Sequence, residues 1–272
     1  MSFLEHLSLF RATRESNLRR EYGWLSLAGL FWLKDGDNAF GSDPGNPIVL
    51  PERAPAHAGV FTLVDGHVTV TKSPEVTMRI NNYELGNAAT ALKVDTSGDP
   101  DYLFIEDIRM VVIERAGNLA LRIWDPQSPV RGNFKGCVWY DPDARFRVKA
   151  KIESYPEPRQ FMIDDIVGIQ RPVTMHAALA FTLDGNEYRL DAERQDDNSY
   201  DIIFKDLTAG KTSYGAGRYL TTEIAEGDEV VIDFNIAYNP PCAFTEFATC
   251  PLPPPQNILP VAIEAGEKIL GK

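Results

Sequence analysis

Short runs of alternating apolar and polar residues, separated by turn residues about every 8–12 positions, constrain the fold of this chain most strongly. Two pairs of such runs are joined through Asp65-Gly66 and Asp184-Gly185, which is the pattern of a tight β-hairpin. Runs of this kind favour antiparallel sandwiches or barrels. Regular strand–helix alternation is missing from the pattern, so doubly wound and TIM-barrel folds are excluded.

One amphipathic helix is predicted before the β pattern begins. Ser2 and Glu5 have the spacing of a capping box at its start, and Gly23 is expected to end it. The predicted fold class is mainly β. We expect an N-terminal helix in residues 1–25, a β-sandwich in residues 26–123, and an antiparallel β-barrel or second sandwich in residues 124–272. The second boundary lies where a segment with Pro, Gly and Ser interrupts the β pattern.

Charge and hydropathy limit the expected partners. The net charge of −12 argues against a nucleic-acid partner, because phosphate contacts need clustered Lys and Arg. A membrane partner is not expected, since no run of about 18 apolar residues occurs. Residues 1–15 lack the basic region and cleavage site of a secretory signal, so we expect a cytoplasmic protein. Three cysteines, an odd number, agree with a compartment that keeps thiols reduced.

Four segments follow one another between residues 30 and 115: LKDGDNAFGSDPGNPIVLP, GVFTLVDGHVTV, MRINN and TALKVDTSGDPDYLFIEDIRMVVI. In this order they resemble a forkhead-associated domain, a β-sandwich that commonly reads phosphothreonine peptides. Where that family has an arginine, this chain has Ser42, and the serine expected near His57 is missing. A phosphate reader needs a cationic fork. The resemblance therefore implies a sandwich fold in which phosphopeptide binding is lost.

Longer and chemically less common segments follow in the second half. They are FKDLTAGKTSYGAGRYL (204–220) and VVIDFNIAYNPPCAFTEFATCPLPPPQNILPVAIEAGEK (230–268). Together with GWLSLAGLFWLKDGDNAFGSDPGN near the start, they are similar to signature segments of a bacterial and archaeal family classed as a domain of unknown function. The resemblance spans nearly the whole chain and implies kinship without a mechanism.

The segment 237–257 contains Cys242, Cys250 and six prolines. The C-x₇-C spacing matches neither a zinc site nor a C-x-x-C redox pair, and no metal or cofactor is expected. A disulfide would stabilise the loop by about 2–3 kcal/mol in the loop-entropy model, but a reducing cytoplasm disfavours it. Two small packed thiols are the commonest alternative. The prolines predict a stiff, extended wall beside the preceding strand.

Two further patterns point to a site. If IDFNIAYN (232–239) is a strand, Asp233 and Asn235 share the face opposite Phe234 and form either a polar floor or ordinary surface. In TSYGAGRYL (212–220) the glycines allow close backbone approach. Arg218 is then a candidate to bind an anion through two hydrogen bonds. The alternative is a structural ion pair with Asp233 or Asp206.

Three functions remain open at this point. The first is a protein that binds a small polar or anionic ligand, or a peptide, in a pocket of the C-terminal domain. The second is a metal-independent hydrolase or isomerase that uses Asp233 as base and Arg218 as anion clamp, with Tyr214 or Cys242 nearby. The third is a structural role in which the proline-rich loop covers a sheet edge. The ligand-binding candidates are Tyr214, Arg218, Asp233, Asn235, Tyr238, Asn239 and Cys242.

Overall fold

The computed structural model describes residues 2–269 and confirms a mainly β protein with an N-terminal helix. One of its sheets curls into a half-barrel. The chain divides into two compact units. One unit is continuous and comprises Asn17–Phe134. The other is discontinuous and combines the chain up to Ser16 with the chain from Lys135 onward. Within residues 2–269, no helix has both the length and the apolar character that a membrane span requires.

Helix α1, Phe3–Leu18, begins as the sequence predicts. The Ser2 N–H donates to Glu5 Oε2 at 2.7 Å, and the Glu5 N–H donates to Ser2 Oγ at 3.3 Å, which confirms the capping box. The predicted end at Gly23 is wrong, because the helix stops at Leu18 and a turn follows in which the Gly23 N–H donates to the Arg20 carbonyl. In the first half of the helix, the Leu7 side chain is buried.

The unit Asn17–Phe134 contains two sheets. In spatial order they are β1-β11-β10-β9-β6-β7 and β3-β2-β4-β5-β8. The strands are β1 Leu27–Trp32, β2 Gly36–Gly41, β3 Ile48–Val49, β4 Gly59–Val64, β5 His67–Lys72, β6 Arg79–Ile80, β7 Tyr83–Glu84, β8 Thr90–Ala91, β9 Leu103–Ile105, β10 Ile108–Arg115 and β11 Asn118–Trp124. A short helix, α2, covers Pro129–Asn133.

Both sheets of this unit contribute to one hydrophobic core. Phe40 and Phe61 from one sheet have ring centroids 4.5 Å apart, and they share a cluster with Met110 and Leu121 from the other sheet. Since alternate side chains of a strand point to opposite faces, each sheet presents one apolar face to this core. The arrangement is a β-sandwich. Kinship to the forkhead-associated family stays a prediction.

Both predicted Asp-Gly hairpins are confirmed. Asp65 and Gly66, with φ of 49° and 77°, connect β4 to β5. Asp184 and Gly185 have φ of 51° and 79° in the second hairpin. Two successive left-handed residues give a turn whose twist matches that of the paired strands.

The second unit is built on a six-stranded antiparallel sheet with the order β16-β15-β14-β13-β12-β17. Its strands are β12 Arg147–Asp164, β13 Gln170–Leu183, β14 Asn186–Arg194, β15 Tyr200–Phe204, β16 Arg218–Thr221 and β17 Glu229–Asp233. The long pair β12–β13 has an irregular register between Ser154 and Arg159.

The core of this unit forms where the chain after β17 returns to the sheet. The Phe234 ring lies 5.6 Å from that of Phe181 and 5.4 Å from that of Phe204, measured between centroids. Leu259 and Ile263, from the last part of the chain, belong to the same cluster. The segment 237–257 is therefore held between two anchored stretches, Phe234 before it and Leu259 after it.

Candidate functional site

The predicted strand through residues 232–239 is wrong beyond Asp233. Strand β17 ends at Asp233, and Phe234–Ile236 form a 3₁₀ turn instead. The cause is local, because Asp233 Oδ1 accepts a hydrogen bond from the Asn235 N–H at 2.9 Å and caps the turn. Asp233 and Asn235 consequently do not form a polar floor on an open strand face.

Asn235 is instead a buried cross-link to the segment before β12. Its amide nitrogen donates to the Asp143 carbonyl at 2.9 Å, and its amide oxygen accepts from the Asp143 N–H at 2.9 Å. The same nitrogen donates to Asp233 Oδ1 at 2.8 Å. The other Asp233 oxygen lies 3.8 Å from Arg147 Nε. These contacts hold the turn after β17 against neighbouring parts of the same unit.

Arg218 forms an ion pair within the protein. The sequence left this open as the alternative to binding an anionic ligand. Arg218 Nη2 donates to Asp206 Oδ2 at 2.5 Å and to the Ile263 carbonyl at 2.9 Å, and its Nη1 donates to the Ala265 carbonyl. Both charged side chains are 1% exposed. The partner is Asp206 and not Asp233. Among the described residues, none is a hydrogen-bond or ion-pair partner of more than one of Arg218, Asp233 and Tyr214.

Tyr214, Cys242 and Cys250 form a group that we call the thiol cluster. The Tyr214 hydroxyl donates to the Cys242 carbonyl at 2.8 Å, and the Cys242 N–H donates to Cys250 Sγ at 3.3 Å. The hydrogen bond from Cys250, aided by that from Tyr214 and opposed by burial, lowers the pKa of Cys242 to about 7. The same contact, with burial, raises the pKa of Cys250.

Tyr219 and Tyr238 connect this cluster to its surroundings. Each residue donates its backbone N–H to the carbonyl of the other at 2.9 Å, and their rings meet edge to face at 6.1 Å. The Tyr219 hydroxyl donates to the Pro251 carbonyl at 2.8 Å. The guanidinium carbon of Arg14 lies 4.7 Å from the centroid of the Tyr238 ring. Tyr238 thus serves as packing between the segment 237–257 and helix α1.

A second polar group, the carboxylate cluster, consists of Arg14, Cys137, Asn239 and Glu267. The Asn239 N–H donates to Glu267 Oε2 at 3.0 Å, and Arg14 Nε lies 3.6 Å from that oxygen. The Cys137 thiol lies within the electrostatic influence of the same carboxylate. Burial of Glu267, which is 0% exposed, raises its pKa. Burial, together with the Glu267 charge, raises the pKa of Cys137.

Sequence reasoning identified Asn239 but missed the other three members of the carboxylate cluster. Arg14 and Cys137 lie far from the segment 237–257 along the chain, and no local motif connects them with it. Glu267 falls within the long family-like segment 230–268, which was the one signal available for it.

An open groove lies on the sheet of the same unit. Its cavity volume is about 770 Å³, and none of the seven predicted site residues lines it. Glu229, Lys151, Ala180 and Arg189 form one row across strands β17, β12, β13 and β14. The segment Ile258–Pro260 forms its apolar wall. The sequence had no signal for this row, because its members meet only through strand pairing.

The structure therefore separates the seven candidates into two sets. Tyr214 and Cys242 lie in the thiol cluster, and Tyr238 and Asn239 contact Arg14 beside it. Arg218, Asp233 and Asn235 take part in buried cross-links of the fold. The groove offers a third arrangement of polar groups, open to solvent.

Comparison with known proteins supplies a family and no activity. The family model described as "Protein of unknown function (DUF1684)" matches residues 132–268. Among solved structures, the chain is similar to an uncharacterized protein of Haloarcula marismortui determined by solution NMR. The two are 35% identical over 53% of this chain and 80% of that chain, with a TM-score of 0.43. No curated protein matches the chain at a significant level.

Proposed function

Since the chain belongs to the family described as "Protein of unknown function (DUF1684)", whose description gives no activity, we propose a function from its own groove. The protein binds a small organic carboxylate there, with Lys151 as the recognising cation. The observation that carries this proposal is the row in which Ala180 separates Lys151 from Arg189. The short side chain of Ala180 and the two long cationic side chains all line the groove.

The charges around the gap favour Lys151 as the contact. Lys149 Nζ lies 3.2 Å from Glu229 Oε2, and Arg189 is paired with Glu153, so both cations already have partners. Within residues 2–269, Lys151 has no ion pair. An ammonium group on a flexible stem binds a carboxylate as a point charge. A ligand carboxylate is therefore expected to approach Lys151 first.

The wall of the groove favours a ligand with an apolar part. Ile258 is 54% exposed, and Pro260 lines the cavity beside it. Covering exposed apolar surface contributes roughly 25 cal/mol per Å². A ligand that joins one carboxylate to a short hydrocarbon or aromatic part matches both features. We also propose that the protein acts in the cytoplasm, where its thiols stay reduced.

Thermal-shift titration with a panel of aliphatic and aromatic monocarboxylates tests the proposal, with the corresponding amides as neutral controls. A ligand at about a hundred times its Kd stabilises the folded state by about 2.7 kcal/mol. We expect carboxylates to raise Tm and amides to leave it unchanged. Lys151→Ala should abolish the shift, whereas Lys211→Ala, an exposed lysine outside the groove, should retain it.

Two results would overturn the proposal. One is a panel in which no carboxylate shifts Tm at millimolar concentration. The other is a shift that persists unchanged in Lys151→Ala, because binding would then lie elsewhere.

A further inference from the structure

The two thiols of the thiol cluster approach each other across a loop with stiff ends. Prolines stand immediately before Cys242 and immediately after Cys250, at Pro241 and Pro251. Their rings restrict the backbone at both ends of the loop. Residues 243–249 between them include small side chains and no proline. The loop therefore keeps the two cysteines adjacent, with the Cys242 N–H donating to Cys250 Sγ at 3.3 Å.

The two cysteines differ in access. Cys242 is half-buried, whereas Cys250 is 4% exposed. A solvent-borne reagent therefore reaches Cys242 first. The backbone of Cys250 is fixed from the other side, because its carbonyl accepts a hydrogen bond from the Ile166 N–H at 2.8 Å.

The two cysteines also differ in ionisation. The hydrogen bond from Cys250 and the nearby Tyr214 hydroxyl lower the pKa of Cys242 to about 7, against the opposing effect of burial. A large share of Cys242 is then thiolate near neutral pH, and the thiolate is the reactive form. Cys250 keeps its proton, because burial and the neighbouring sulfur raise its pKa.

From this geometry we infer that Cys242 and Cys250 form a reversible dithiol–disulfide couple, in which Cys242 attacks small-molecule disulfides and Cys250 resolves the product. Tyr214 is a positioning residue, since its hydroxyl holds the Cys242 carbonyl. The inference does not depend on ligand binding in the groove.

The reaction balances as a thiol–disulfide exchange. The Cys242 thiolate attacks one sulfur of a disulfide RSSR, which forms a mixed disulfide and releases RS⁻. The RS⁻ takes up the proton that Cys250 loses. The Cys250 sulfur then attacks Cys242 Sγ, which forms the intramolecular disulfide and releases a second RS⁻. This RS⁻ takes up one proton from solvent. That proton balances the one that Cys242 released to solvent when it ionised. The two protein thiols are oxidised, and one RSSR is reduced to two RSH.

Cys137 provides an internal control for this reaction. Burial, together with the nearby Glu267 charge, raises the pKa of its thiol and keeps it protonated. Cys137 is therefore expected to react more slowly than Cys242, although it too is half-buried.

The test treats the full-length reduced protein with glutathione disulfide and follows intact mass, with peptide mapping of the products. The wild type should lose the mass of two hydrogen atoms and carry a Cys242–Cys250 link. Cys250→Ser should accumulate a stable glutathione adduct on Cys242. Cys242→Ser should react at least about tenfold more slowly, as expected when the remaining thiols are mostly protonated. Cys137→Ser should behave like the wild type.

Three results would overturn the inference. They are equal reactivity of Cys242→Ser and the wild type, a stable adduct on wild-type Cys242 without a link to Cys250, and a linked product that involves Cys137. Circular dichroism of each variant shows whether it is folded. Should Cys250→Ser unfold, alkylation of the folded wild type decides the matter, since iodoacetamide must then modify Cys242 before Cys137.

Discussion

Arg218 and Asp206 form an ion pair inside the hydrophobic core of the C-terminal unit, with 2.5 Å between Nη2 and Oδ2. The remaining Arg218 donors bind the carbonyl oxygens of Ile263 and Ala265. Asp206 in turn accepts hydrogen bonds from the backbone and side chain of Thr208. The pair joins strand β16 to the last part of the chain, which covers the sheet.

Arg218→Ala is expected to lower the free energy of unfolding by about 3–5 kcal/mol, because it leaves the Asp206 charge buried without its partner. Urea unfolding measures this change. Arg145→Ala is the matched control, since Arg145 pairs with Asp184 at the surface and is 51% exposed. Loss of an exposed pair costs about 0–1 kcal/mol. Equal effects of the two variants would contradict a structural role for the Arg218 pair.

Gly217→Ala is expected to destabilise the protein, whereas Gly215→Ala is not. Gly217 has φ of +102°, and a Cβ there would lie 2.6 Å from the Phe204 carbonyl oxygen and 2.7 Å from Pro253 Cγ. At Gly215 the nearest atom would be 3.6 Å away. The expected cost at Gly217 is more than about 1 kcal/mol, since the left-handed backbone alone costs an alanine about that amount. Thermal unfolding of both variants gives the comparison, and a Tm for Gly217→Ala equal to that of Gly215→Ala would refute the close approach.

Asn235→Ala should lower the free energy of unfolding by about 1–3 kcal/mol, because it removes the partner of the Asp143 N–H and carbonyl and one of the two hydrogen bonds to Asp233 Oδ1. Denaturant unfolding measures the change. Asn186→Ala is the control, since Asn186 is exposed and makes one long hydrogen bond of 3.3 Å to the Asp184 carbonyl. If both substitutions cost a few tenths of a kcal/mol, Asn235 is not the cross-link that its contacts describe.

Glu267 predicts a specific dependence of stability on pH. Its folded pKa is raised above the ordinary value of 4.5, so the folded state binds this proton more tightly than the unfolded state. The contribution of Glu267 to stability is therefore largest below that value, and it is lost as the pH rises through the folded pKa.

Glu267→Gln removes this titration. The free energy of unfolding of the wild type minus that of Glu267→Gln should fall as the pH increases from about 4.5 toward neutrality. Urea unfolding at a series of pH values measures it. Glu264→Gln, an exposed carboxylate in the same segment, is the control. A difference that rises with pH would show that attraction to Arg14 outweighs burial.

Tyr214→Phe is expected to raise the pKa of Cys242. The Tyr214 hydroxyl is one of the hydrogen-bond donors that lower this pKa to about 7, so its loss favours the protonated thiol. The rate of iodoacetamide modification of Cys242 should then reach half its maximum at a higher pH than in the wild type. Tyr83→Phe, which removes an exposed hydroxyl in the other unit, should leave that midpoint in place. If the midpoint in Tyr214→Phe equals that of the wild type, the Tyr214 hydroxyl does not influence the pKa of Cys242.

Local patterns in the sequence were sufficient for the two Asp-Gly hairpins and for the Ser2–Glu5 cap, because each depends on residues close together in the chain. The strand predicted through residue 239 failed because Asp233 caps a turn that also inserts Phe234 into the core. Periodicity cannot detect that competition, since the insertion depends on partners from distant strands.

The same limit explains which site residues were missed. Cys242 and Tyr214 stand in segments of unusual composition and were found. The row of Lys151, Ala180 and Arg189 arises from strand register, and Glu267 meets Arg14 only in the folded unit. Such groupings leave no trace in a single sequence.

The hydrogen bond from Arg14 to the Asn239 carbonyl joins residues 225 positions apart in the sequence. The ribosome therefore synthesises the two partners at very different times. Helix α1 leaves the exit tunnel before the unit Asn17–Phe134, whose strands pair among themselves. The helix up to Ser16 belongs to the other unit, and its bond from Arg14 forms only after the chain has been synthesised past Asn239. A helix of 16 residues is marginal alone in water, so until then this segment is a nascent region with Leu7 uncovered. A chaperone that recognises short apolar segments would have access to it throughout synthesis of the intervening chain.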